Sequence, residues 1–235
     1  TAPAPPSSPP PSPPLASTPP KPSPDGQWIV FGRQIAGNMD IWIMKSDGTG
    51  EKQLTFTPDW QEGAPYFLPD NKTILYRAWQ RSVTAELKRI REETGQRNQT
   101  PMTIFTMHLD GSNVVPRTFT NDMNWAPFPA PDGRHFAYVR IGEGNNWDVY
   151  LGDLSGAEPP RRLTFSPAFD GFPAISPDGK KLLFTRSKGQ RFMSDLYTHV
   201  MDISSLNIGP GNYKGVPEKS APPAGWTLPA EKPVA

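Results

Sequence analysis

Short runs of aromatic and β-branched residues, each broken off by Gly, Asp, Asn or Pro, carry the hydrophobic pattern of this chain. Trp28-Ile29-Val30-Phe31, Ile41-Trp42-Ile43-Met44, Phe136-Ala137-Tyr138-Val139 and Leu182-Leu183-Phe184-Thr185 are examples. Runs of this length and content read as strands, and where apolar residues are consecutive both faces should be covered. A short turn punctuates them four times: Pro24-Asp25-Gly26, Pro69-Asp70-Asn71, Pro131-Asp132-Gly133 and Pro177-Asp178-Gly179. Proline presets φ, Asp suits the next position, and Gly or Asn accepts the positive φ that follows. Seven residues after each Pro stands an aromatic, Phe31, Tyr76, Tyr138 or Phe184. Two positions further on Arg33, Arg140 and Arg186 recur, with Ala78 the exception. A constant internal offset at a spacing of about 45 residues marks a structural repeat.

Units of about 40 to 45 residues with four short antiparallel strands are the pattern of a β-propeller, whose blades pack face to face around an axis. The segment from Asp40 to Tyr76 (DIWIMKSDGTGEKQLTFTPDWQEGAPYFLPDNKTILY) and its echoes from Thr103 to Arg140 and from Asp148 to Ser187 resemble the repeat of TolB-like propellers. The resemblance covers about residues 24–203 and implies an all-β fold of about four blades, small, incomplete or open relative to the usual six. Strand counting gives three, four, four and three, the first blade lacking its innermost strand and the last its outermost. Ring closure then has three outcomes: a closed ring of four, an open arc with covered edges, or a half-ring completed by another chain. A faint echo of Tyr66-Phe67-Leu68-Pro69 in Trp226-Thr227-Leu228-Pro229 suggests a late strand returning to the first blade.

Composition sets the boundaries. Of 31 prolines, 12 fall in the first 24 residues, so 1–24 reads as an extended polyproline-type tail that at about 3.1 Å per residue could reach about 70 Å. Residues 25–205 form the propeller and 206–235 a second tail rich in Pro and Gly. Lys plus Arg number 24 against 23 Asp plus Glu, so no global field favours nucleic acid or anionic lipid. Cysteine is absent, which excludes disulfides and thiolate metal sites. No apolar run approaches the roughly 18 to 20 residues that cross a bilayer. A chain opening at Thr1 rather than Met fits removal of a signal peptide.

One copy of the repeat is longer, and the excess at 81–99 reads as a helix. Ser82 or Thr84 can cap it, Val83, Leu87 and Ile90 share a face, and Thr94-Gly95 stops it. Its polar face, with Arg81, Lys88, Arg89, Arg91 and Arg97 against Glu86, Glu92 and Glu93, is mildly basic. It either packs on its own propeller or docks a partner through Lys88, Arg89 and Arg91.

Catalytic signals are weak. No Gly-x-Ser-x-Gly elbow occurs. The three histidines are dispersed: His135 follows a turn and should face solvent, while His108 and His199 fall on equivalent strands as packing residues. Asp40, Asp148 and Asp195 stand before equivalent strands, either ringing a cation or, the simpler reading, capping turns by accepting backbone N–H bonds. Trp60, Glu62, Asn124, Trp125, Phe169 and Asp170 lie where the chain enters the innermost strands, which in the family face the axial opening. They are the candidate partner-binding surface. No cofactor, metal or catalytic residue is expected.

The expected function is a non-enzymatic interaction or scaffold module of the bacterial cell envelope. It would be periplasmic or extracytoplasmic and peripheral to a membrane, an accessory subunit docked on protein subunits of a larger complex through its tails and loops. The alternative is a carbohydrate-active propeller or sugar binder using Glu62, Asp170 or His199.

Overall fold

All four Pro-Asp-Gly or Pro-Asp-Asn turns close in the same way. The carbonyl before each proline accepts the N–H three positions on: Ser23 from Gly26, Leu68 from Asn71, Ala130 from Gly133 and Ser176 from Gly179, at 2.8 to 3.3 Å. The Asp carboxylate then accepts the N–H two residues later, from Gln27, Lys72, Arg134 and Lys180, each at 3.0 Å. Gly26, Asn71, Gly133 and Gly179 have φ of 72, 58, 73 and 72°, the left-handed region that Gly and Asn enter at least cost.

The structure, a computed structural model, describes residues 18–95, 99–142, 146–189 and 193–227. Arg97, Leu228, Pro229 and the chain before residue 18 lie outside them. Four antiparallel sheets follow one another as the blades of a propeller. Blade one contains β1 (Lys21–Pro22), β2 (Trp28–Ile35), β3 (Asn38–Lys45) and β4 (Lys52–Gln53). Blade two contains β5 (Trp60–Phe67), β6 (Thr73–Gln80), β7 (Thr103–His108) and β8 (Val115–Pro116), with α1 (Arg81–Thr94) inserted between β6 and β7. Blade three contains β9 (Asn124–Pro129), β10 (His135–Ile141), β11 (Trp147–Asp153) and β12 (Arg161–Arg162). Blade four has three strands, β13 (Asp170–Ile175), β14 (Lys181–Ser187) and β15 (Leu196–Asp202).

One expectation changes here and one holds. Blade one does have an innermost strand: Lys21 and Pro22 pair with Val30 and Ile29, inside the segment assigned to the proline-rich tail. Among the described residues the last blade lacks its outermost strand as expected, because the chain leaves β15 through a 3-10 turn at Ser204–Leu206 rather than a hairpin.

The blades hold together through three apolar seams, each using alternate side chains of the second strands. Val30 and Tyr76 meet between blades one and two, Leu75 and Tyr138 between two and three, and Ala137 and Phe184 between three and four. Among the described residues no apolar cluster joins blade four to blade one. Leu183 holds the position of Val30, Leu75 and Ala137, yet it is 43% exposed where they are 0%, and its cross-strand neighbour Val200 is 62% exposed. The outer face of blade four is therefore uncovered, which makes the described structure an open arc. At the other end Phe31 is buried by its own blade, beneath the Arg33 guanidinium.

The second tail was expected to dock on partners, and its late strand on blade one. Residues 207–226 instead form a strap across the turn face of blades four, three and two. Gly209 lies against the last Pro-Asp-Gly turn so closely that a Cβ on Gly179 would stand 2.5 Å from Gly209 Cα. Lys214 N–H donates to Asp132 O at 3.0 Å, and Ala221 N–H to Ser155 O at 2.8 Å. Arg117, only 3% exposed, grips the strap. Its guanidinium donates to Pro217 O at 2.6 Å, Lys219 O at 3.1 Å, Leu154 O at 2.5 Å and Thr106 Oγ1 at 2.8 Å. Burial pulls its pKa down to about 10. Trp226 ends edge-on to Phe119, with ring centroids 5.0 Å apart, beside blade two rather than blade one.

Two stability predictions follow from the seams and the strap. Leu75→Ala should cost about 2 to 5 kcal/mol, whereas Leu183→Ala, at the same repeat position, should change stability by no more than about 0.5 kcal/mol. Equal losses in chemical denaturation would mean that the outer face of blade four is covered. Arg117→Ala should cost about 3 kcal/mol and release the strap, read as faster exchange of the Ala221 amide. Unchanged exchange would show that other contacts hold it.

Candidate functional site

The recurring arginines mark a position that three blades share and one breaks. Arg186 on β14 stands opposite Asp170 on β13, and the two form a bidentate ion pair at 2.6 and 2.8 Å. Arg140 stands opposite Asn124 and pairs with Asp122 at 2.6 Å. Arg33 pairs with Glu51 at 2.5 and 2.6 Å. In blade two the carboxylate is present and the arginine is not: Glu62 faces Ala78. Glu62 is 3% exposed, its Oε1 accepts the Thr57 hydroxyl, and its Oε2 has no hydrogen-bond partner. Burial raises its pKa from 4.5 to about 7; the Thr57 bond opposes this and the nearby Asp40 charge adds to it.

A second site opens on the axis, where the first strands of the blades converge. Each of β5, β9 and β13 has a bulge at a residue with positive φ followed by proline: Ala64-Pro65, Ala126-Pro127 and Phe172-Pro173, with φ of 52, 47 and 52°. Proline offers no N–H, so it suits an inner edge with no further strand to pair. Between these bulges lies a cavity of about 460 Å³ whose lining includes Lys21, Tyr66, Arg77, Trp125, Phe128 and Phe172. Among the described residues the lining contains two cations and no carboxylate or imidazole. Arg77 has no carboxylate partner among the described contacts: its Nε lacks any acceptor, one terminal nitrogen lies 3.9 Å from Met102 Sδ, and the guanidinium sits 4.7 Å over Trp79. Burial lowers its pKa to about 10. Lys21 Nζ lies 4.9 Å over the Tyr66 ring.

Of the six residues assigned to an axial surface, only Trp125 lines this cavity. Glu62, Asn124 and Asp170 lie in strands and are 3%, 0% and 0% exposed, so their placement on exposed loops is corrected. Their polar groups are turned into the sheets, Asn124 Nδ2 donating to Met102 O at 2.9 Å. Trp60 and Glu62 line a separate cavity between blades one and two. Phe169 is buried in an aromatic cluster with Trp125, Trp147 and Phe172 that seals the mouth of the seam between blades three and four. Lys21, Tyr66, Arg77, Phe128 and Phe172 were missed, although one signal pointed to the first, second and fourth of them. Pro20, Pro65, Pro127 and Pro173 each stand four residues before a turn proline, and the next residues are Lys21, Tyr66, Phe128 and Ala174.

Other candidates are also relocated. Asp40 and Asp148 accept side-chain bonds from Thr55 and Thr164, whose hydroxyls in turn accept the Ile41 and Val149 N–H groups. They are latches between strands rather than caps for backbone N–H groups. Asp195 is exposed with φ of 48°. No group of three metal-ligating side chains occurs among the described residues. His135 is 12% exposed and bonded to Asp132 Oδ2 at 2.6 Å, not facing solvent. His199 stacks on Phe184 as a packing residue, whereas His108 approaches Glu218 of the strap at 3.3 Å.

Helix α1 continues directly from β6, so its N-cap is Gln80, with no side-chain cap bond. Asp59 serves instead, accepting Ser82 N–H at 3.0 Å and Ser82 Oγ at 2.6 Å. Gly95, with φ of 73°, closes the other end. Arg89 is held between Glu86 and Glu93, and Lys88 lies 3.9 Å from Glu92, so the helix neutralises two cations of its basic face and leaves Arg91 in the last turn.

A carboxyl moved from 4.5 to about 7 on folding stabilises the native state below pH 4.5 and loses that contribution as pH rises through about 7. Glu62→Gln should therefore be near neutral at pH 4 and stabilising by at most about 3 kcal/mol at pH 8. Parallel melting curves across that range would refute the assignment.

No family model matches the chain. An uncharacterized protein of Agrobacterium fabrum is 28% identical over 127 residues, covering 50% of this chain and 38% of that protein. A solved structure assigned as TolB from Agrobacterium tumefaciens superposes with a TM-score of 0.61 at 21% identity, covering 77% of this chain and 60% of that one. TolB from Acinetobacter baumannii gives 0.57 at 22% identity, with 79% and 41% covered. A puromycin-hydrolyzing peptidase of Mycobacterium tuberculosis gives 0.55 at 19%, with 79% and 29% covered. The chain spans less than two thirds of the length of each of these proteins. Its fold is that of a TolB-like β-propeller, here with four blades.

Proposed function

We propose that this chain is a non-enzymatic protein-interaction module of the bacterial cell envelope, an accessory subunit that holds an extended segment of a partner in its axial cavity. The carrying observation is that cavity. About 460 Å³ lined by Tyr66, Trp125, Phe128 and Phe172 offers stacking surface, and Arg77 and Lys21 offer cations that no carboxylate in the lining satisfies. Apolar walls with a few oriented polar groups are the general form of a binding site. An extended peptide with an acidic side chain or a terminal carboxylate matches both features.

The likeness to TolB propellers supports an extracytoplasmic place, peripheral to a membrane. No described helix is long and apolar enough to cross one. The proline-rich segment before residue 18 and the exposed face of α1 are the further contacts assigned to the larger complex. Carbohydrate chemistry at Glu62 and Asp170 finds less support: both are buried, and Asp170 is tied to Arg186.

A photo-crosslinking residue in place of Phe172, which is 42% exposed at the cavity, tests this reading in the native envelope. The expected product is one discrete adduct with an envelope protein. Trp125→Ala, removing an aromatic anchor, should weaken it at least about tenfold. Absence of an adduct, or one indifferent to Trp125 and to Arg77→Ala, would sink the reading.

A further inference from the structure

Blade two departs from its siblings in a way that leaves room for a ligand. The rung that reads Asp170 opposite Arg186 in blade four reads Glu62 opposite Ala78 in blade two, so a buried carboxylate remains where the arginine side chain is missing. The vacated volume is not refilled by neighbouring side chains. Glu62 and Ala78 both line a cavity of about 350 Å³ between blades one and two, together with Trp60, Tyr76, Phe105 and Phe56. Among the described lining residues Glu62 is the only charged one. Its Oε2 has no hydrogen-bond partner, and a buried carboxylate without a cation is costly unless something supplies one.

The walls suit a cation on a slim apolar stem. Trp60 and Phe105 meet edge to face at 5.8 Å, and Tyr76 stacks on Phe105 at 5.8 Å, so ring faces and edges surround the approach to Glu62. Such rings attract an ammonium or guanidinium as well as its hydrocarbon stem. At the rim Phe56 is 70% and Val114 54% exposed, which gives the cavity an apolar entrance.

We propose that the cavity between blades one and two binds a guanidinium or alkylammonium group, which pairs with Glu62 in the place the missing blade-two arginine would occupy. The cation is either the side chain of an arginine or lysine in a protein or a free organic amine. Both present the same chemistry. This site is separate from the axial cavity and does not depend on what that cavity holds.

Calorimetric titration with n-butylguanidinium, and with n-butylurea as its uncharged isostere, tests the pairing on the whole chain. The wild type should bind the guanidinium at least about tenfold more tightly than the urea. Glu62→Gln should abolish that preference, and Ala78→Leu, which fills the cavity without adding charge, should abolish binding of both. Ala78→Arg should also block binding while raising the melting temperature, because the new side chain reaches Glu62 from within the sheet. A blocked arginine tripeptide binding more tightly than n-butylguanidinium identifies a protein side chain as the source, and weaker binding identifies a free amine. Equal affinity for guanidinium and urea, no binding of either, or a preference that survives Glu62→Gln would overturn the proposal.

Discussion

A β-sheet with apolar residues on both faces is stable only when both are covered, and this requirement governs the whole molecule. Alternate residues of each second strand face opposite ways, so one set meets the preceding blade and the other the following one. The pairs Val30 with Tyr76, Leu75 with Tyr138 and Ala137 with Phe184 are three instances of one contact. Because the contact repeats, its interruption is visible. Leu183 and Val200 are exposed where no blade follows, while Phe31 at the opposite end is covered by its own blade.

The strap offsets what an incomplete ring lacks. It ties three blades across their turn face, and its main fastening is the buried Arg117, whose guanidinium is spent on four carbonyl and hydroxyl oxygens rather than on a carboxylate. The segment is therefore held on the propeller along residues 207–226. Residues of the strap line neither the axial cavity nor the space between blades one and two.

Both cavities arise from local departures from the repeat. On the axis, bulges at Ala64, Ala126 and Phe172 bend the first strands, and the aromatic rings beside them line a cavity with Lys21 of β1 and Arg77 of β6. Between blades one and two, loss of one arginine leaves Glu62 with half of an ion pair. Blades three and four keep their arginines paired with carboxylates. Function in such a scaffold is sought where one copy differs from the rest.

The repeat itself was legible in the residues. Turn chemistry is local, since Pro, Asp and Gly each impose a backbone preference within four residues, and it set the fold class, the blade register and most strands. The Ala78 exception could be read as well, but not its consequence, because a missing side chain becomes a cavity only when its surroundings fail to close on it. The first strand of blade one was hidden in a proline-rich stretch whose composition imitates a tail, although Pro20 kept the spacing of Pro65, Pro127 and Pro173. Tertiary structure alone decided which acids are buried, where residues 207–226 run, and which blade face stays bare. Those outcomes depend on contacts between residues as much as about 100 positions apart, such as Arg117 with Pro217, and no local preference encodes them.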